Sequence, residues 1–223
     1  MHIIKVFLQL LIVLIPWKIR RPILNYFWKY DIHPKAKIGF SYIYPKHLIM
    51  KEGATIGHLN VAIHLELIYM EKDCTICQRN WITGFPLKDK TKFQRFPNRK
   101  PYLIMKKDSA ITKQHHIDCT DTVTIGSLSS IAGYGTQILS HSTSIKNNDG
   151  YCAPITIGHH CFVGSRSILL PHSTLPNCSV LGAGAVLNKE YTEEFSLYGG
   201  VPARFIKKEN SDFDFFSRKN RPK

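Results

Sequence analysis

Acidic residues are scarce in this chain. Its 223 residues include 16 Asp and Glu against 30 Lys and Arg, a formal net charge of +14 at pH 7. Such an excess favours an anionic partner: a nucleic acid, a phosphorylated cofactor, an anionic lipid or an acidic glycan. The sequence lacks the patterns of a helix-turn-helix, a zinc finger or an RNP-type aromatic sheet, which disfavours nucleic acid.

The six cysteines lack the spacing of a metal or redox motif. Cys74-x-x-Cys77 has no second Cys or His pair at zinc spacing and no thioredoxin-like surroundings. Cys161 and Cys178 fall near positions where a small buried hydrophobic residue is favoured. We interpret the cysteines as reduced structural residues of a cytosolic protein, and we expect no metal cofactor.

The apolar run at residues 3–16, IIKVFLQLLIVLIP, is short for a membrane span. As a helix it would extend roughly 21 Å, against ~30 Å of hydrocarbon core. No A-x-A cleavage site follows it, which disfavours a secretory signal peptide. Basic and aromatic residues follow up to residue 30, as in interfacial membrane helices. A helix packed on its own domain or across a subunit interface would look the same, so both interpretations of segment 1–30 stay open.

What the chain does have is an apolar residue at every sixth position near its C-terminus. A period of six fits neither an amphipathic helix nor a lone strand. It indicates a solenoid, in which each repeat buries its apolar residue against its neighbours. Glycine follows several of these positions and suits a chain that turns a corner after each short strand. The six positions are Ile157, Val163, Leu169, Leu175, Leu181 and Leu187.

Weaker hexads begin at Ile32 and are interrupted twice, so we predict one solenoid domain over residues 31–208. The first interruption, about 84–107, is rich in cations and lacks the repeat. Loops of this kind on rigid scaffolds often carry binding, and the alternative is a solvated surface insertion. The second covers about 141–153, and residues 209–223 form a C-terminal tail.

Three segments carry a family resemblance: VTIGSLSSIAGYGTQILSHS (123–142), PITIGHHCFVGSRSILLPHSTLPNCSVLGAGAVLNKE (154–190) and GGVPARFIKK (199–208). Together they resemble the hexapeptide-repeat acyltransferases, in the branch of maltose, galactoside and nodulation-factor O-acetyltransferases and colanic-acid type enzymes. The resemblance implies an all-β solenoid, a left-handed parallel β-helix, here with an N-terminal helical segment and a long basic loop insertion. Left-handed crossing is an exception to the usual rule, so the period alone does not indicate it. The resemblance also implies a homotrimer that binds acetyl-CoA between subunits.

Acetyl transfer to a hydroxyl needs a general base, because the thioester is already activated whereas the hydroxyl must lose a proton. An imidazole suits this role and contributes roughly 10²–10⁴-fold. His141 opens the second interruption, where the resemblance implies the catalytic His, and Asp149 is a weak candidate for the carboxylate that orients it. Surface turns are the expected place for the other paired or corner histidines, His115, His116, His159, His160 and His172.

The resemblance also implies where acetyl-CoA lies. Small residues would let the pantetheine arm approach closely, although the corners of a solenoid require glycines in any case. Cations would hold the phosphates, Arg through its fork and Lys as a point charge. The implied cofactor-binding residues are Ser165, Ala183, Asn188, Lys189, Arg204 and Lys207.

The resemblance and the charge together favour an O-acetyltransferase acting on a cell-surface polysaccharide (capsule, O-antigen or exopolysaccharide) or its lipid-linked precursor. Its expected place is the cytoplasm, at the inner face of the bacterial inner membrane, with residues 1–30 as the peripheral membrane contact. One alternative is an acetyltransferase for a small soluble acceptor such as an antibiotic, a nucleotide-linked amino sugar or serine. A γ-carbonic-anhydrase-like metalloprotein would need a second His five residues from His141, where Thr136 and Lys146 stand. A non-catalytic scaffold predicts that His141→Ala leaves function intact.

Overall fold

The strands of the chain wind into three parallel sheets. A computed structural model describes residues 2–88, 92–146 and 148–221, without the side chains of residues 2–6. Strands are numbered along the chain, and each coil adds one strand to sheet A, then to sheet B, then to sheet C. Sheet A consists of β1 (Asp31–Ile32), β4 (His47–Met50), β7 (Leu67–Met70), β10 (Tyr102–Met105), β13 (Val123–Ile125), β18 (Ile155–Ile157) and β21 (Thr174–Leu175).

The other two sheets are built in the same way, and a hairpin and three helices complete the described elements. Sheet B consists of β2 (Lys37–Ile38), β5 (Thr55–Ile56), β8 (Thr75–Ile76), β11 (Ala110–Ile111), β14 (Ser130–Ile131), β19 (Phe162–Val163), β22 (Val180–Leu181), β24 (Ser196–Gly199) and β25 (Arg204–Lys208), the last of them antiparallel. Sheet C consists of β3 (Tyr42–Tyr44), β6 (Val61–Ile63), β9 (Trp81–Thr83), β12 (His116–Asp118), β15 (Gln137–Leu139), β20 (Ile168–Leu169) and β23 (Val186–Leu187). The hairpin is β16 (His141–Ser144) and β17 (Asp149–Cys152), and the helices are α1 (His2–Val13), α2 (Trp17–Phe27) and α3 (Asp214–Ser217).

The core lies inside the three sheets, and the predicted hexads fill it. Each of the six residues from Ile157 to Leu187 has 0% exposure. In successive coils, inward-facing apolar residues stack on one another: Val163 pairs with Leu181, eighteen residues later. The predicted all-β solenoid is confirmed as a parallel β-helix.

The coil from Ile32 to Met50 has eighteen residues, but the next one has twenty, and this change of coil length weakens the hexad pattern. Met50 pairs with Met70, twenty residues on, because β4 and β7 have four residues each and bury two of them, such as Leu48 and Met50. Two extra residues preserve the alternation of inward and outward side chains. The hexad spacing expects Tyr44 in the core, but Ile43 is the buried residue and Tyr44 is half-buried.

The two interruptions differ from their predicted forms. The basic loop spans residues 84–101 rather than 84–107, since β10 returns to sheet A with Leu103 and Met105 fully buried. The predicted loop 141–153 is the antiparallel hairpin β16–β17, in which His141 pairs with Cys152.

The N-terminal segment covers the first coil with one face. The Tyr42 hydroxyl donates to Gln9 Oε1 at 2.6 Å, and Trp17 Nε1 donates to the Ala36 carbonyl at 3.0 Å. Buried Arg20 donates to the carbonyls of Ile38 and Gly39. Among the described residues, no helix has the length and apolar composition needed to cross a bilayer. The other face of α1 exposes Phe7, Leu8, Leu10 and Leu11, and Leu14, directly after the helix, is exposed as well.

The predicted tail, residues 209–223, packs back on the solenoid as far as it is described. Phe216 of α3 is buried. The Arg218 guanidinium donates to the Leu128 carbonyl, and Arg221 Nη2 donates to Thr75 Oγ1 at 2.8 Å. These contacts fasten the tail across several coils of sheet B.

Candidate active site

His141 lies where the chain leaves sheet C, against a carboxylate of the preceding coil. Asp118 ends β12, whose neighbour in the sheet is β15, and its Oδ2 lies 2.7 Å from His141 Nδ1. A carboxylate only accepts hydrogen bonds, so Nδ1 carries the hydrogen and Nε2 keeps its lone pair. The pair therefore holds the imidazole in the tautomer of a base that acts through Nε2.

Asp118 is held as an anion although it is nearly buried. Burial raises the pKa of this carboxyl, but hydrogen bonds from His141, Thr120 and Ser140 outweigh it, and the net pKa lies below its ordinary value. Thr120 Oγ1 donates to Oδ1 at 2.7 Å, and Ser140 Oγ donates to Oδ2 at 3.0 Å. At neutral pH the carboxylate is ionised and can stabilise an imidazolium as it forms.

The basic loop forms an aromatic wall beside His141. The rings of Phe85 and Phe93 meet the imidazole edge to face, with centroids 5.1 and 5.8 Å away. Such pairs are favourable and fix ring orientation. One side of the proposed base is thereby shielded from water by a segment that sequence reasoning treats only as a basic insertion.

A buried arginine holds this wall in place. Arg99 is 7% exposed, and its Nη1 donates to the carbonyls of Phe85 at 2.7 Å and Thr120 at 3.1 Å. Its guanidinium also lies 5.2 Å from the Phe93 ring centroid. The Phe85 N–H donates to Thr120 Oγ1 at 3.2 Å. Both ends of the loop are thus tied to Thr120, which itself bonds Asp118.

Next to the wall lies an open pocket of about 300 Å³ that shares Phe93 with the His141 site. Lys92, Gln94 and Arg99 give it polar groups on an otherwise apolar lining. Lys92 Nζ lies 4.8 Å from the Phe85 ring centroid. A cation is therefore one aromatic ring away from the imidazole.

Three of the predicted cofactor-binding residues share one corner of the solenoid. Ser165 and Ala183 lie in successive turns from sheet B to sheet C, and the Gly184 N–H donates to the Ser165 carbonyl at 2.9 Å. Arg204 begins β25 directly after the turn from β24, the strand stacked on β22 in sheet B, and is exposed. Glycines here have a structural reason as well, since a Cβ on Gly133 (φ +64°) would lie 1.7 Å from Ser165 Oγ.

The other three predicted residues lie elsewhere. Asn188 and Lys189 follow β23 at the turn from sheet C to sheet A. That is the edge that carries His141, two coils or about 10 Å further along the axis. Lys207 lies in sheet B, paired with Leu197, and its Nζ is 3.3 Å from Glu209 Oε1. The six residues thus divide between two corners and one sheet, all on the surface or half-buried.

Two expectations about individual residues are wrong. Asp149 does not orient His141: it pairs with Ser144 at the far end of the hairpin, and its Oδ2 is 3.9 Å from Arg95 Nε. His115 is not a surface residue: it is 2% exposed, and its Nδ1 accepts a hydrogen bond from the Thr136 N–H at 3.1 Å. Burial lowers the pKa of His115 to about 4.

Sequence reasoning missed Asp118, Phe85, Phe93 and Arg99. For Asp118 a signal exists, because it directly follows Ile117, a predicted core position, and Ile117 pairs with Ile138 of the strand that leads to His141. Ile117 and Ile138 are twenty-one residues apart, so a search for pairs eighteen residues apart does not align Asp118 with the residues that precede His141. The aromatic pair and Arg99 lie in a segment without a repeat, so nothing in the sequence aligns them with His141.

Comparison with known proteins finds a sequence likeness to an acetyltransferase over part of the chain. No family model matches the chain. Galactoside O-acetyltransferase of Escherichia coli K12 is 36% identical over 93 residues, which cover 40% of this chain and 45% of the relative. The chain therefore spans less than half the length of the curated relative that it matches.

Solved structures show the fold. The polysialic acid O-acetyltransferase OatWY superposes with a TM-score of 0.56 at 16% identity, over 81% of this chain and 84% of that one. A hexapeptide-repeat acetyltransferase from Vibrio cholerae, solved with acetyl coenzyme A, gives 0.45 at 24% identity over 48% and 61% of the two chains. The sequence likeness to galactoside O-acetyltransferase and the fold likeness to OatWY agree with the resemblance to O-acetyltransferases, and the predicted left-handed parallel β-helix is confirmed.

Proposed function

We propose that the protein is an acetyl-CoA-dependent O-acetyltransferase that acetylates a hydroxyl of a saccharide, with His141 as general base. The observation that carries the proposal is the hydrogen bond of His141 Nδ1 with the ionised, nearly buried Asp118, beside an aromatic wall. The likeness to galactoside O-acetyltransferase supports both the reaction and the class of acceptor.

In this mechanism His141 Nε2 accepts the proton of the acceptor hydroxyl as its oxygen bonds to the acetyl carbonyl carbon. Asp118 keeps Nδ1 protonated and stabilises the imidazolium, without itself taking the proton. When the bond from carbon to sulfur breaks, the imidazolium returns the proton to the departing thiolate. His141 is then neutral again, and the proton of the acceptor hydroxyl ends on the CoA thiol.

The chain has groups suited to each part of acetyl-CoA. The exposed corner at Ser165 and Ala183 offers small side chains and backbone amides along which a pantetheine arm can lie. Arg204, Lys189 and Lys207 are exposed cations that suit its phosphates. We therefore propose these five residues and Asn188, the six predicted from the sequence, as the acetyl-CoA contacts.

The basic loop favours an acidic saccharide as the acceptor. Acidic sugars of this kind would belong to a capsule, an O-antigen or an exopolysaccharide, or to its lipid-linked precursor. Lys92 lies over Phe85 at the edge of the pocket, so an anionic group bound there would face a cation and the imidazole together. The net charge of +14 supports the same choice.

The test is acetyl transfer from acetyl-CoA to a panel of neutral galactosides, sialic- and uronic-acid oligosaccharides, and small soluble acceptors such as serine. Release of the CoA thiol and the mass of the product are measured for wild type, His141→Ala and the control His116→Ala, an exposed histidine of β12, the strand that ends at Asp118. We expect His141→Ala to lose roughly 10²–10⁴-fold in kcat and the control to lose nothing. Full activity in His141→Ala would refute the mechanism, and transfer only to serine-like acceptors would refute the saccharide.

We also propose a homotrimer and a peripheral membrane contact through α1. The exposed apolar face of α1, followed by exposed Lys18, is suited to the interface of an anionic bilayer. Light scattering measures the assembly, and flotation with phosphatidylglycerol vesicles measures binding. We expect Leu10→Ser with Leu14→Ser to abolish flotation while the molar mass stays that of a trimer. A fall of that mass to a monomer would instead assign α1 to subunit packing.

A further inference from the structure

Two histidines and a cysteine meet at a corner that the proposed acetyl transfer does not use. His159 and His160 lie in the turn between β18 and β19, and Cys178 lies in the turn stacked on it, between β21 and β22. This is the edge between sheets A and B, whereas His141 precedes β18 at the edge between sheets C and A. From the sequence, His159 and His160 are expected in surface turns and Cys178 as a reduced structural residue.

The ligand atoms of this corner are spaced as a tetrahedral metal requires. Nδ1 of His159 lies 3.0 Å from Nδ1 of His160 and 3.9 Å from Cys178 Sγ, and all three atoms lie within 4.8 Å of one another. Zinc bonded to nitrogen at about 2.05 Å and to sulfur at about 2.3 Å separates such ligands by roughly 3.3 and 3.6 Å. The two distances from His159 Nδ1 differ from these values by about 0.3 Å, and the His160 and Cys178 ligand atoms, which lie within 4.8 Å, would move together by at most about 1.2 Å to seat the ion.

The tautomer of His160 also suits a ligand. Its Nε2 lies 3.0 Å from the Arg218 carbonyl, which can only accept, so Nε2 carries the hydrogen and the Nδ1 lone pair faces the cluster. Metal-binding histidines are commonly oriented by such a carbonyl on the other ring nitrogen.

The backbone under the cluster is braced. The His159 N–H donates to Asn177 Oδ1 at 3.0 Å, and Asn177 Nδ2 donates to Glu194 Oε1 at 2.7 Å. His160 and Cys178 both have φ of +51°, the same left-handed conformation in each stacked turn. Cys178 is 5% exposed, whereas His159 is exposed, which leaves an approach from solvent.

We propose that His159, His160 and Cys178 form a site for Zn²⁺ or a similar divalent transition metal, completed by water. The mixed nitrogen and sulfur ligands favour such an ion over Mg²⁺ or Ca²⁺. Because His160 bonds the Arg218 carbonyl, an ion here would fasten the C-terminal tail to the coil. Its role is structural and separate from acetyl transfer.

The experiment titrates the full chain, free of any affinity tag and stripped with chelator, with Zn²⁺ and separately with Co²⁺. We expect one equivalent of metal, a thiolate-to-cobalt charge-transfer band in the near ultraviolet, and a Tm increase of about 5–10 °C at a hundredfold excess over Kd. Absence of both the band and the Tm increase in the wild type would overturn the proposal and leave only a hydrogen bond between the two imidazoles.

Variants localise the site. Cys178→Ser should lose the charge-transfer band, and His159→Ala should weaken binding at least tenfold. Cys77→Ser and His172→Ala change the same residue types elsewhere and should bind as the wild type does. Equal binding in all four variants would mean that the metal is held at another place. Failure of this site leaves the proposed acetyltransferase untouched, since the wild-type titration does not depend on activity.

Discussion

Replacing Asp118 by Asn tests whether this carboxylate acts through His141 or only supports the fold. Asp118 accepts two hydrogen bonds on Oδ2, from His141 and Ser140, and one on Oδ1, from Thr120. An amide keeps one accepting oxygen, which can still face His141, while its nitrogen donates to the Thr120 hydroxyl. The variant thus preserves shape and removes the negative charge.

The size of the effect follows from that charge. A hydrogen bond to a charged group contributes about 1.5–3 kcal/mol, and this stabilisation matters most when His141 becomes an imidazolium in the transition state. Its loss corresponds to a decrease in kcat of about 10- to 150-fold. The KM for acetyl-CoA should stay unchanged, because the buried Asp118 does not face the proposed cofactor corner.

Steady-state kinetics with acetyl-CoA and the best acceptor measure both constants. Asp121→Asn is the matched control, since Asp121 bonds the backbone N–H groups of Lys100 and Thr122 instead of His141. In a His141→Ala background, Asp118→Asn should cost nothing further, because residues that act as a unit are not additive. A further loss in that background, or an equal loss in Asp121→Asn, would refute the positioning role.

Three more predictions follow from buried, charged and strained residues. The pKa of His115 is about 4 in the fold against 6.5 when unfolded, so between these pH values the unfolded chain binds one more proton than the folded one. The stability that His115 confers is therefore complete above pH 6.5 and falls by up to about 3 kcal/mol as the pH drops to 4. Urea unfolding of the wild type and of His115→Gln across this pH range measures the difference. Lys92→Ala should lower kcat/KM for an acidic acceptor several-fold at low salt and little at about 0.5 M salt. Lys113→Ala, which removes another exposed lysine, should have no effect. An equal loss of kcat/KM with neutral acceptors would contradict the charge argument. Gly133→Ala should cost about 1–3 kcal/mol more in unfolding free energy than Gly184→Ala. Both glycines have positive φ, but a Cβ on Gly133 meets Ser165, whereas a Cβ on Gly184 meets no described atom within 4 Å. Equal costs in denaturant unfolding would refute the steric explanation.

The fold was predictable where the coil length is constant. From Ile157 to Leu187 the eighteen-residue coil places every sixth residue in the core, so the period alone indicates a solenoid. The period loses predictive power where the coil length changes to twenty residues, after Met50, and already in the preceding coil Ile43 is buried where the period expects Tyr44. Handedness came only from the resemblance, since side-chain periodicity is the same for either hand.

The candidate site was predictable only in part, because its members come from separate coils. His141 stands at a motif position, whereas Asp118 reaches it through the register of two strands and Phe93 through a loop without a repeat. Arg99 illustrates the limit: as one of many cations it suggests a solvated surface, yet it is buried and bonded to three carbonyls. Contacts across the sequence, which no local pattern encodes, decide its role.

The double attachment of the basic loop to Thr120 has an evolutionary consequence. Phe85 and Arg99 anchor its two ends beside the base, while Lys92 and Gln94 lie between the anchors and line the pocket. In the proposed acetyltransferase, substitutions of Lys92 and Gln94 would alter which acceptor binds without displacing His141 or Asp118. Acceptor recognition and proton transfer would then be separable, and a lineage could exchange one acceptor for another through changes at a few loop positions.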